Sequence, residues 1–261
     1  MKRSESIKKY LLCMAALCFT FSLSMAQDIS SFRSRIYTTY AEGNMGEWKN
    51  VMNEMDKLQE HSPSKELLSE LLIAQYGYIG HCINENRKKE ASRLLDRAQD
   101  KLRILIDEDP GNASLMALEG AFMGYEMGIN KLKAVVTGQK AKEKIDAAVE
   151  KDPEAVRTLL EKANQLNFSP RLLGGDSGKA IEYYHKAIDK MEKVQPQQKN
   201  SWIYVNTLVV LADTYEKMGN YTHACAVYEK IMNYDPGIKW VKEDLYPACN
   251  EKAEGVRYPG P

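Results

Sequence analysis

The sequence predicts an all-α protein: an α-solenoid of antiparallel helix hairpins closed by a C-terminal capping helix. Three observations carry this expectation. From residue 28 to about 255 apolar residues recur three and four apart, as in Leu67, Leu68, Leu71 and Leu72, or Ile181, Tyr184, Ala187, Ile188 and Met191. No run alternates apolar and polar residues around hairpin turns, as strands would. Gly, Asn, Asp and Pro punctuate the pattern at "HSPS", "NENR", "DEDPGN", "KDPE", "NFSPRLLGGD", "VQPQQKN", "KMGN" and "YDPG". About eleven helices fit between these breaks, and an Asp-Pro recurs after three of them, at Pro110, Pro153 and Pro236.

The elements follow in order. Residues 1–26 combine a basic start, "MKRSESIKK", with an apolar run too short to span a bilayer comfortably and the small-residue pattern "SMA". That is a secretory signal peptide with cleavage expected between Ala26 and Gln27. Leucine precedes both Cys13 and Cys18, so neither is a lipoprotein acceptor. The chain carries 36 Lys and Arg against 36 Asp and Glu. Four of the bases and one of the acids lie in the signal, which leaves the mature chain at about −3. Such a charge draws neither nucleic acid nor an anionic membrane. No other run is apolar enough to span a membrane.

Residues 27–60 read as an N-terminal helix pair around Ile36, Tyr40, Trp48, Val51, Met55 and Leu58. Residues 61–238 read as irregular repeats. The first has two long helices ending at Pro110. The second begins with "ASLMALEGAFMGYEMG", has Gly120 at a close helix approach and a lengthened connection "INKLKAVVTGQK", and ends at Pro153. The third has a Gly-Gly loop inserted at 168–176 before the helix of Ala180, Tyr184 and Ala187. Residues 239–261 form the capping helix and a loose tail.

The loop "LLGGDSGKA" invites comparison with a phosphate cradle. A P-loop needs Gly at 173 and a hydroxyl at 180, but these positions hold Leu173 and Ala180, and a helix rather than a strand precedes them. The structural reading assigns Asp176 as an N-cap, gives Gly174 and Gly175 to a tight turn, and tucks Phe168, Leu172 and Leu173 against the solenoid.

The clearest unit is 205–238, "VNTLVVLADTYEKMGNYTHACAVYEKIMNYDPGI". Leu208, Leu211, Ala212 and Tyr215 form one stripe, Gly219 and Asn220 the turn, Ala224, Tyr228 and Ile231 a second stripe, and Pro236 the end. This resembles the tetratricopeptide repeat (TPR), departing from it at Leu208, where the family often has Trp, and at Ile231, where it usually has Ala. The layout also resembles exported bacterial TPR proteins. More distantly, it is similar to the TPR partner subunits of periplasmic solute-uptake systems.

The resemblance implies a non-enzymatic scaffold that binds a protein or peptide on a concave face lined by the first helix of each hairpin. Position within the hairpins then nominates Tyr78, His81, Ala121, Tyr125, Asn164, Asn206, Val209 and Asp213. These lack the Lys/Asn/Arg cluster of TPR clamps that hold a C-terminal carboxylate. A second reading is a carrier holding a small apolar ligand among Tyr76, Tyr78, Phe122, Met123 and Tyr125; a third is an unrecognised enzyme. No cofactor or metal is expected. His61, His81, His185 and His223 include no pair at ligand spacing, and no nucleophile elbow or dinucleotide fingerprint is present. Cys82, Cys225 and Cys249 are too few for a disulfide framework. A Cys225–Cys249 bridge is compatible with the count, but no spacing pattern selects it.

Overall fold

The computed structural model describes residues 27–130, 132, 134–194 and 201–257. The expected signal segment 1–26 and the last four residues of the tail lie outside the described residues. Eleven α-helices are present among those described: α1 (27–41), α2 (Met45–His61), α3 (Lys65–Asn84), α4 (Lys88–Glu108), α5 (Ala113–Ile129), α6 (Ala134–Lys151), α7 (Val156–Phe168), α8 (Ser177–Val194), α9 (Trp202–Lys217), α10 (Tyr221–Tyr234) and α11 (Tyr246–Arg257). Consecutive helices pair as antiparallel hairpins, α3 with α4, α5 with α6, α7 with α8 and α9 with α10, and α11 covers α10. The first helices α3, α5 and α7 also pack against one another in series. No described helix is long and apolar enough to cross a membrane.

Local chemistry sets the helix ends. Asn44, Ser64 and Asn112 accept hydrogen bonds from the backbone N–H three residues on, which satisfies one free donor at each start. Asp176 does the same for Lys179 N–H at 3.0 Å, as the capping reading requires. Gly174 takes φ +90°, and a Cβ on Gly175 would fall 1.9 Å from the Ser169 carbonyl oxygen. The pair therefore serves a tight backbone turn.

Ala212 and Ala224 are fully buried where α9 meets α10, and Tyr228 and Ile231 fill the layer beside them. Gly120 marks an equally close approach of α5 to α6: a Cβ there would sit 2.6 Å from Ile145 Cγ1 and 3.0 Å from the Ala141 carbonyl oxygen. The connection between these two helices is shorter than expected, because α6 already begins at Ala134.

The capping helix contains Pro247, whose ring conflicts with the carbonyl four residues back and whose nitrogen has no proton to donate. The chain absorbs this with one π-turn over Val241–Leu245, in which Tyr246 N–H reaches back five residues to the Val241 carbonyl.

Two features depart from the sequence reading. Phe168, Leu172 and Leu173 do not tuck against the solenoid but stand 62, 99 and 62% exposed on and beside the short 3-10 turn Arg171–Leu173. More consequentially, the superhelix curls until its ends touch. The Trp240 indole N–H donates to the Ala41 carbonyl at 3.1 Å, and the Tyr37 hydroxyl donates to Asp235 Oδ2 at 2.5 Å.

Candidate functional site

The concave side is built by the first helices, and their side chains converge on a narrow cleft. From α3, Tyr76 stacks on Tyr125 of α5 with ring centroids 5.2 Å apart. The Arg157 guanidinium lies 5.1 Å over the Tyr76 ring and donates to Glu161 Oε1 at 2.8 Å. Glu161 Oε2 accepts from the Tyr76 hydroxyl and from Asn164 Nδ2, both at 3.1 Å. Asn164 Oδ1 accepts from the Tyr184 hydroxyl at 2.8 Å. On the far wall Asn206 Oδ1 accepts from the Tyr40 hydroxyl at 3.2 Å.

This is a buried ion pair inside a ring of hydroxyls and amides. Burial pushes the Tyr76 and Tyr184 phenols above their usual range, with the Glu161 charge adding to both. Burial alone would lower the Arg157 value, but Glu161 and Tyr76 outweigh it and hold the guanidinium charged.

An aromatic cluster seals one end of the cleft. Trp202 of α9 meets Trp48 at 5.0 Å and Tyr40 at 6.0 Å. It lies so close to α3 that a Cβ on Gly77 would approach its Cη2 to 2.7 Å. What remains open inside the cleft is about 20 Å³, bounded by Tyr76, Arg157, Asn164, Trp202, Asn206 and Val210. That is room for about one water molecule. Of the five residues considered for a small apolar ligand, only Tyr76 borders this space; Tyr76, Phe122 and Tyr125 pack their rings against one another, and Tyr78 and Phe122 are buried.

The other end is open. Arg157, Glu161, Asn164 and Phe168 follow the three- and four-residue spacing of one face of α7; Ile203, Asn206, Val210, Asp213 and Lys217 do so on α9. The two stripes meet where Lys217 Nζ stands 5.6 Å from the Phe168 ring centroid while also pairing with Asp213 Oδ2 at 2.5 Å. Exposed Leu172, Leu173 and Met218 belong to the segments flanking this meeting point.

The structure thus gathers four of the sequence-nominated residues, Tyr125, Asn164, Asn206 and Asp213, along the concave side. Tyr78 and His81 are not on it. The Tyr78 side chain is 1% exposed, its ring stacks under Arg87, and its hydroxyl accepts from Arg87 Nη2 at 3.1 Å, on the side of α3 that faces α2 and α4. His81 packs against Tyr78. The residues of α3 that do face the cleft neighbours are Tyr76, Gly80 and Ile83, against Tyr125 and Gly128. Arg157, Glu161, Trp202 and Tyr40 were not singled out for the site from sequence. Their signal was a charged i, i+4 pair and isolated aromatics, patterns that also occur on ordinary helix surfaces. Among the described residues no group of three or more His, Cys, Asp or Glu is placed to hold a metal ion.

The family model of the tetratricopeptide repeat matches residues 205–238. That segment, α9 with α10, is similar to a tetratricopeptide repeat. Among solved structures, a thermophilic TPR protein of Thermus thermophilus aligns over 86% of this chain and 97% of its own, with TM-score 0.52 and 16% identity. At that identity the likeness is one of fold. No curated protein matches the sequence.

Proposed function

We propose that the protein is an exported, non-enzymatic TPR scaffold whose protein or peptide partner occupies the open end of the concave side. The carrying observation is the pair of helix stripes that emerge from a closed cleft onto Phe168, Asp213 and Lys217, beside an exposed apolar loop. Exposed apolar side chains grouped at a polar rim mark interaction surfaces more often than inert ones. Mutual ring packing of Tyr76, Phe122 and Tyr125, three of the five residues of the carrier reading, argues against that reading. The basic start, short apolar run and "SMA" of residues 1–26 support export.

Two measurements test this. N-terminal sequencing of the exported protein should begin at Gln27; retention in the cytoplasm with Met1 intact removes the export reading. A photo-crosslinking residue placed at Leu172 or Asp213 should capture one partner in the native host, and the same residue at Arg103 on α4 should not. Equal capture from all three positions rejects the concave surface as the binding site.

A further inference from the structure

Three cysteines remain beyond the expected signal, and two of them face each other. Cys225 on α10 and Cys249 on α11 are both buried, and their Sγ atoms lie 2.6 Å apart, inside the contact distance of two unbonded sulfurs. Cys249 also points its thiol at the Tyr221 carbonyl at 3.5 Å. Cys82 is buried separately in α3, within the layer of Leu71, Leu72 and Ile79. Sequence counting could not choose a pair from three thiols. The packing of α11 on α10 does choose.

We propose that Cys225 and Cys249 are a disulfide modification site that staples the capping helix to the tetratricopeptide repeat, and that Cys82 stays a thiol. The oxidant is a disulfide, small or protein-borne. One thiolate attacks it and forms a mixed disulfide, releasing one thiol. The second cysteine, deprotonated, displaces the other half. Two cysteine thiols become one S–S bond, and the two electrons and two protons leave as two thiols of the spent oxidant. Burial of the pair, which raises the Cys249 thiol to about 12, means that exchange occurs while α11 is undocked.

The staple has a structural task. End elements of a repeat array have neighbours on one side only and open most easily. The segment leading into α11 also carries Trp240, which reaches Ala41 at the opposite end of the superhelix. Fixing α11 therefore also fixes the contact that closes the curl.

The test is to equilibrate the purified chain from Gln27 to Pro261, which carries only these three cysteines, with excess oxidised glutathione, block free thiols, and map peptides without reduction. The expected result is one cross-linked peptide pair containing Cys225 and Cys249, with Cys82 alkylated. The oxidised protein should melt roughly 5–15 °C above the reduced one, as a disulfide in a domain of this size does. Cys82→Ser should keep the cross-link and the shift, and Cys225→Ser should lose both. Alkylation of both Cys225 and Cys249, or their pairing with glutathione or with Cys82, overturns the proposal. The measurement uses protein in a defined buffer, so it stands or falls separately from export.

Discussion

The Tyr40 hydroxyl donates to Asn206 Oδ1 at 3.2 Å and so ties the first helix to the ninth, 166 residues away. A solenoid whose units touch only their neighbours has no such bond. Here the first and last hairpins share an aromatic cluster in which Tyr40 contacts Trp48, Trp202 and Trp240 at 5.7–6.0 Å. The concave side is consequently a partly filled interior at one end and a surface only at the other.

Closure depends on Gly77. A methyl group there meets Trp202 Cη2 at 2.7 Å and Trp48 Cζ2 at 2.9 Å, two rings already packed against each other. Gly77→Ala is expected to destabilise the fold by about 1–3 kcal/mol through overpacking. Gly124→Ala is the control: no atom lies within 4 Å of its Cβ position, and alanine favours helix over glycine by up to ~1 kcal/mol. Denaturant melts of the two variants should move in opposite directions. A Gly77→Ala melt equal to wild type would show that α3 and α9 do not pack this closely.

Much of the fold was legible in the sequence because it is local. Helical periodicity and the Gly, Asn and Pro breaks locate the helices, and Asp176 and Gly120 reveal a cap and a close approach through their own chemistry. The face of α3 was not legible. Its apolar residues surround the helix, with Leu67, Leu68, Leu71, Leu72, Ala74, Tyr78, Ile79 and Cys82 all buried, so position within a hairpin pointed to Tyr78 and His81, whereas Tyr76 and Gly80 face the cleft. Curl was illegible for a different reason. It arises from small rotations summed over successive hairpins, and the Tyr40–Asn206 contact it creates leaves no short-range pattern.

The Arg157–Glu161 pair is almost fully buried, with side chains 12 and 2% exposed. Removing one partner strands the other charge in the cleft. Glu161→Ala is therefore expected to cost about 3–5 kcal/mol. Replacing both, as in Arg157→Met with Glu161→Leu, should restore most of that loss, because two apolar groups need no counter-charge. Equilibrium unfolding of the single and double variants checks this. A double variant no more stable than Glu161→Ala would mean that the hydroxyl and amide ring, rather than the ion pair, holds the cleft.

Acid should weaken the protein before its carboxylates titrate. Burial holds the His185 imidazole below its ordinary value near 6.5, and its Nε2 lies 2.9 Å from the Tyr215 hydroxyl. A base with a lowered folded value binds its proton less readily folded than unfolded. Its contribution is complete above the unfolded value and is lost as pH falls through that value toward the folded one. His81 is shifted in the same direction, again by burial. The melting temperature should thus fall between about pH 7.5 and 5.5, and His185→Gln combined with His81→Gln should flatten the slope over that interval. An unchanged slope in the double variant would assign the effect to other groups.

The proposed binding surface makes the sharpest demand on the loop. Leu172 is 99% exposed and Phe168 and Leu173 are each 62% exposed, so none adds appreciable core burial. The turn that presents them is fixed independently of these side chains, by Gly174 at φ +90°, by Gly175 against the Ser169 carbonyl and by Asp176 N–H donating to the Leu166 carbonyl at 2.9 Å. Apolar side chains held on a rigid turn lose little freedom when a partner covers them. Leu172→Ser is therefore expected to leave the melting temperature unchanged while weakening affinity for the partner captured from that loop by roughly 1–2 kcal/mol, the scale of a contributing interface residue. Asn206→Ala, deeper in the cleft, should behave in the reverse way: it removes the acceptor for the Tyr40 hydroxyl and costs stability, about 1–3 kcal/mol, with a smaller effect on binding. Affinity and melting temperature measured for both variants separate the two roles. If Leu172→Ser keeps full affinity while Asn206→Ala loses it without unfolding, the partner enters the cleft itself, which must then open to admit it.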